Sequence, residues 1–135
     1  NSVVQAFKRL DQDAIVSSKA DELAHADRLV LPGVGTAGAV MDGIEKYKLR
    51  DFVLNTRVPL LGICLGMQIQ GQTSTEVPLN SDVNCIQCLS LVAATVERLD
   101  AGELRMPHMG WNTVHHTDHP LFDGIRQSLG FEDRN

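Results

Sequence analysis

Apolar residues at Val3, Val4, Ala6, Phe7 and Leu10 recur at three- and four-residue intervals. That spacing predicts a helix from Ser2 to Leu10 that buries one stripe, with Ser2 placed to cap it. AIVS at 14–17 reads as a short strand and DELAHAD at 21–27 as a short polar helical turn or loop. RLVLPGVG at 28–35 predicts an apolar strand broken by Pro32, Gly33 and Gly35, residues that force a turn and let backbone come close to a ligand. Between Gly38 and Asn55, Val40, Met41, Ile44, Tyr47, Leu49, Phe52 and Val53 predict one or two helices. VPLLGIC at 58–64 is the most apolar strand.

From Gln72 to Leu89 the pattern dissolves into Thr, Ser, Asn, Pro and Asp, which predicts a mobile loop. LVAATVERL at 91–99 and GWNTVHH at 110–116 read as later strands, and HPLFDGI at 119–125 as a turn or a single helical turn. RQSLGFEDRN at the end has no pattern. Strand and helix alternate through the first half, which predicts an α/β fold: an open, mostly parallel sheet flanked by helices, with its ligand site at the carboxyl ends of the strands. The Gly-rich stretches 32–35 and 62–66 both fall at such ends.

A length of 135 residues is expected to form one domain, spanning 1–135. No apolar run approaches the roughly 20 residues of a membrane span. With a net charge of −5 and acids and bases mixed along the chain, no basic face is available for a phosphate backbone, so neither membrane nor nucleic acid is an expected partner. Three cysteines are too few for a disulfide scaffold and suit a reducing compartment, so a cytoplasmic location is expected. The opening NSVVQAFKRL carries charge where a signal peptide needs an apolar core, and it lacks methionine, as a processed start or an internal piece would.

Gly62-Ile63-Cys64-Leu65-Gly66 has the spacing of a nucleophile elbow, a sharp strand-to-helix turn in which flanking glycines remove side chains that would clash. At the start of a helix, free N–H groups and the macrodipole favour the reactive thiolate. The Leu65 N–H would supply half of an oxyanion hole, and the Pro32-Gly33-Val34-Gly35 turn is suited to supply the second donor. Together these point to acyl transfer through a thioester. The alternative is that Cys64 is a buried small hydrophobe and the glycines only allow close packing.

PLLGICLGMQ and LVLPGVGTAG together resemble the class I, triad-type glutamine amidotransferases, and MPHMGWNTV at 106–114 narrows the resemblance to glutaminase subunits of imidazole glycerol phosphate synthase. The resemblance runs from Asn1 to about Ile125. It implies hydrolysis of glutamine to glutamate and ammonia, with the ammonia used by a separate cyclase subunit in histidine biosynthesis, and no cofactor or metal. Carried over by position, Cys64 is the nucleophile, Val34 and Leu65 are the backbone oxyanion donors, and Gly33, Gly35 and Gln68 belong to the glutamine pocket. His108, Met109, Gly110, Trp111 and Asn112 face the cyclase.

The family's proton-shuttling histidine and orienting carboxylate lie in a Phe-His-Pro-Glu-like segment. None of the five histidines here, His25, His108, His115, His116 and His119, is followed by Pro-Glu. The expectation is therefore a partial amidotransferase domain without its opening strand and the end of its triad, inactive alone, with exposed hydrophobic edges. Two rival readings are a docking module that binds the cyclase without making ammonia, and a zinc site built from Cys85-Ile86-Gln87-Cys88 and downstream histidines. The zinc reading lacks a second properly spaced ligand pair. A redox role for the same CxxC lacks the flanking strand and helix, and the His115-His116 pair reads as a solvated turn.

Overall fold

A computed structural model describes residues 2–77, 82–107, 109–111, 115 and 119–123. Its contacts divide the chain into two units, Asn1–Leu99 and Asp100–Asn135. The first helix, α1, runs over Ser2–Arg9, as the apolar spacing predicts. It ends with Asp11 in the left-handed region at φ 53, where Gln12 N–H reaches back to Phe7 O and Asp11 N–H to Lys8 O, the paired bonds of a Schellman cap. AIVS forms no strand. Ile15 and Val16 are 69% and 73% exposed, and residues 14–17 make no backbone hydrogen bond to a described strand. Local β-propensity without a neighbour to pair with does not hold a strand. α2 covers Ala20–Leu23.

β1, Leu29–Gly33, and β2, Leu60–Cys64, pair in parallel with Leu29 opposite Leu60 and Gly33 opposite Cys64. The expected break at Pro32 does not occur, and β1 runs through it. Leu29 N–H donates to Pro59 O, so odd-numbered residues of β1 face β2 and Pro32 turns its missing donor to the other side. Between the strands lie α3, Ala37–Lys46, and α4, Arg50–Asn55.

The start of α3 is fixed by Thr36, whose Oγ1 accepts from Ala39 N–H at 3.3 Å. Its end is a second Schellman cap with Lys48 at φ 54, Leu49 N–H on Ile44 O and Lys48 N–H on Glu45 O. Along α3, Ala37, Met41 and Ile44 are buried at helical spacing. They meet Val53 of α4 and Leu65, Ile69, Cys88 and Leu89 in one core, with Leu31, Leu49, Phe52 and Leu60 packed against it. Full burial of each Met, Ile or Leu contributes about 1.5–3 kcal/mol relative to exposure, so this cluster orders the first unit.

After β2 comes α5, Leu65–Gln68, a single turn. A backbone strap at its carboxyl end holds it: Leu89 N–H binds Ile69 O, Val92 N–H binds Gln70 O and Ser90 N–H binds Gly71 O. The segment expected to be a loop from Gln72 to Leu89 contributes β3, Thr73–Ser74, and β4, Ile86–Gln87, which pair antiparallel. β5, Thr95–Val96, adds in parallel to the other edge of β3, so the strand expected over 91–99 is two residues long. The described strands thus form two small sheets in an α/β fold. In the second unit, Met106-Pro107 is cis and a 3₁₀ turn covers Pro120–Phe122, where a helical turn is expected. Most of the strand expected at 110–116 lies outside the described residues, as does the end of the chain from 124.

Candidate active site

The β1–β2 register places Gly33 directly opposite Cys64, so the carboxyl ends of both strands coincide. The Val34-Gly35-Thr36 turn leaves one end and α5 leaves the other. Cys64 sits between them with φ 55 and ψ −122, a backbone conformation that L-residues avoid, and it is the residue that precedes α5. Its side chain is exposed, which removes the alternative of a buried hydrophobe. Among the described residues its Sγ has no hydrogen-bond partner.

The two flanking glycines show why the turn can form. A Cβ on Gly66 would run into the Leu31 carbonyl oxygen of β1, with Leu31 C at 2.7 Å. A Cβ on Gly62 would lie 2.6 Å from Gly66 O and would collide with the Gln70 amide nitrogen. Strand, turn and helix therefore interlock through bare backbone, the arrangement expected from the GxCxG spacing. The Gln70 side chain seals it by donating from Nε2 to Gly66 O at 3.2 Å. Because α5 is one turn, the support under Cys64 comes from this interlock and the strap at 88–92, more than from a long helix dipole.

Leu65 opens α5, with its side chain 4% exposed in the core, leaving its backbone N–H as the group that can serve the site. Val34 follows β1 with its side chain 89% exposed, and its backbone N–H is unpartnered among the described residues. Gly33 is buried and ends β1, while Gly35 adopts φ 94. Gln68 is the last residue of α5 and half-buried. These six residues gather around the ends of β1 and β2. Met109 and Trp111 belong to the second unit, where they are 84% and 104% exposed, and Gly110 lies between them. His108 and Asn112 lie outside the described residues.

Glu76 has no signal in the sequence pattern yet reaches this region. It follows β3, its N–H donates to Ser74 Oγ at 3.2 Å, and its Oε2 accepts from Ala37 N–H at 2.9 Å, across 39 residues of chain. Ser74 and Ala37 are 1% and 0% exposed. The other two cysteines are unlike Cys64. Cys88 is buried, and burial first, then the neighbouring Cys85, pushes its thiol above the usual range, with Arg50 pulling weakly the other way. Cys85 is half-buried. Among the described residues no group of three or more His, Cys, Asp or Glu could hold a metal ion. An open groove of about 480 Å³ lined by Ala24, Phe52, Asn55, Thr56, Arg57 and Val58 lies where the chain enters β2, at the far end of that strand from Cys64.

The family model for glutamine amidotransferase class-I matches residues 2–131. The chain belongs to the class I glutamine amidotransferases. It is 44% identical over 131 residues to the imidazole glycerol phosphate synthase subunit HisH of Shewanella loihica, an alignment covering 94% of this chain and 58% of that protein. Against the subunit of the same name from Vibrio cholerae it is 43% identical over 132 residues, 97% of this chain and 64% of the relative. Against HisH 2 of Campylobacter jejuni it is 47% identical over 118 residues, 87% of this chain and 56% of the relative. The chain thus spans somewhat over half the length of these curated relatives. Among the described residues of this amidotransferase, no helix is long and apolar enough to cross a membrane.

Proposed function

We propose that this chain carries the nucleophile and oxyanion donors of a glutaminase that supplies ammonia to the cyclase subunit of imidazole glycerol phosphate synthase. The observation that carries the reading is the strained Cys64 backbone at the coincident ends of β1 and β2. In this reaction the Cys64 thiolate attacks the side-chain carboxamide carbon of glutamine. The carbonyl oxygen becomes an oxyanion, held by the Leu65 N–H and by the Val34 N–H across the strand ends. The nitrogen then takes a proton from solvent, the C–N bond breaks and ammonia leaves, and the glutamyl group remains as a thioester on Sγ that water hydrolyses to glutamate, returning the free thiol.

Gly33 and Gly35 keep side chains out of the path of the substrate, and Gln68 offers an amide at the rim of the pocket. No histidine of the chain is followed by Pro-Glu, so the proton shuttle is assigned to no residue here, and steady-state turnover by this chain alone is expected to be negligible. Met109 and Trp111, with His108, Gly110 and Asn112, are the proposed surface for the cyclase. The exposure of Met109 and Trp111 supports this, since a Trp and a Met presented together on a surface are residue types enriched at interfaces. Three free cysteines support a reducing, cytoplasmic setting.

The exposure of Met109 and Trp111 favours one second reading, a docking module that binds the cyclase without producing ammonia. One experiment separates the two. A glutamine-like chloroketone is allowed to alkylate the protein while glutamine or asparagine competes. The glutaminase reading expects modification at Cys64 that glutamine slows and asparagine does not. Modification unaffected by glutamine, with cyclase binding intact, would leave only the docking module.

A further inference from the structure

Between Ile63 and Leu65 the chain has one residue in which to change course. Ile63 belongs to β2 and Leu65 to α5, so the reversal from strand to helix falls on Cys64, which takes φ 55 and ψ −122 to make it. Such a conformation persists only where the surroundings over-determine it. Here the constraint is the closeness of Gly62 to Gly66, the residues two before and two after Cys64: a Cβ built on Gly62 would lie 2.6 Å from Gly66 O. Leu31, opposite Gly62 in the ladder, closes the third side with its carbonyl against Gly66.

One side chain meets both glycines. Gln70 is part-buried, and its Nε2 donates to Gly66 O at 3.2 Å. The same nitrogen stands where a Cβ on Gly62 would point. The end of α5 makes this bond available. Gln70 N–H donates three residues back, to Met67 O at 3.1 Å, rather than four back, so the Gly66 carbonyl takes its donor from the Gln70 side chain. Gln70 is anchored in turn by the strap, where Val92 N–H donates to its carbonyl oxygen at 2.9 Å. Its carboxamide thus ties α5 to β2 from a fixed base.

We propose that Gln70 is a positioning residue for the nucleophile: its carboxamide holds Gly66 against Gly62 and so keeps Cys64 strained and exposed at the crest of the turn. The proposal rests on the glutaminase reading of Cys64, and Gln70 acts through the backbone on either side of that residue. Without the donor, α5 moves off β2, Ile63 and Leu65 share the reversal, and Cys64 relaxes.

The test reads the strain at position 64 in the full 135-residue chain. Cys64→Gly and Cys64→Ala are each made in the parent, in Gln70→Met, which puts a methyl group where Nε2 stands, and in Gln70→Lys, which keeps a donor. Any general loss of stability from the change at 70 is common to the C64G and C64A proteins, so the separation of their urea midpoints reports strain alone. That separation, roughly 0.5 M in the parent, should close to within about 0.1 M in Q70M and be retained in Q70K. In proteins that keep Cys64, its rate of alkylation by iodoacetamide relative to that of Cys85 should fall about fivefold in Q70M, the weight of one neutral hydrogen bond, and return in Q70K.

A separation unchanged in Q70M, or closed alike in Q70M and Q70K, would overturn the brace, as would equal C64G and C64A midpoints in the parent. A separation that closes with no change in the alkylation ratio would confine Gln70 to stability and overturn its role toward the nucleophile. Glutamine takes no part in either measurement. If both behave as stated but glutamine does not slow chloroketone modification of Cys64 in the parent, the glutaminase reading falls and the brace of a strained, reactive cysteine stands.

Discussion

Replacing Cys64 by glycine should make the protein more stable, and replacing it by alanine should not. At φ 55 and ψ −122 a residue with a Cβ is held in a conformation that costs about 1–3 kcal/mol. Glycine adopts it without that cost. Against this, glycine loosens the unfolded chain, which takes back about 0.4–1 kcal/mol. The Cys64 side chain is exposed, so losing the sulfur changes little packing, within about 0.5 kcal/mol for a surface site. The balance leaves C64G about 1 kcal/mol more stable than C64A. With a urea m-value of about 1–3 kcal/mol/M for a small protein, that moves the midpoint upward by roughly 0.5 M. Urea titrations of both variants followed by far-ultraviolet circular dichroism provide the assay, with equal m-values as the condition for comparison. A C64G midpoint at or below that of C64A would refute the claim that strain is stored at Cys64.

Further expectations follow from the same geometry. Gly66→Ala drives a Cβ into the Leu31 carbonyl, which is backbone and cannot swing aside, so a loss of about 2–3 kcal/mol or more is expected in urea unfolding. Lys48→Gly relieves a left-handed residue at the end of α3 and should gain about 0.5–1 kcal/mol in the same assay. The Cys88 thiol is pushed up in the folded state, chiefly by burial, so its contribution is complete below the unfolded thiol pKa of about 8.5 and is lost as pH rises through the folded value. Stability measured from pH 7 upward should therefore fall less steeply in Cys88→Ala than in the parent. Trp111, the sole tryptophan and fully exposed, should emit as free indole does and shift to the blue when the cyclase subunit is added; an unchanged spectrum on confirmed binding would move the interface elsewhere.

The elements that carry the elbow were legible because their signals are local. Leu29–Gly33 is an apolar run ending in glycine, Leu60–Cys64 is an apolar run with Gly62 inside it and Gly66 just beyond it, and Ala37, Met41 and Ile44 recur at helical spacing. Cys64 between Gly62 and Gly66 announced a strained turn, and the backbone there has the expected form. The polar stretch after Gln72 misled, because Thr73 and Ser74 are held in β3 by backbone pairing on both sides and need no apolar alternation. Ile15 and Val16 misled in the opposite sense, having strand chemistry but no partner strand. Glu76 was invisible for a different reason: its contact with Ala37 joins residues 39 apart, and no periodicity spans that distance.

Of all these, the relative reactivity of the three cysteines tests the central claim most directly. The protein is incubated with a glutamine-like chloroketone and each cysteine's rate of modification is followed by mass mapping. Cys64, exposed at a formed elbow with backbone donors beside it, should be modified far faster than half-buried Cys85 or buried Cys88, and glutamine should slow it. If Cys64 reacts no faster than Cys85, the elbow is not a primed nucleophile and the glutaminase reading of this chain is wrong.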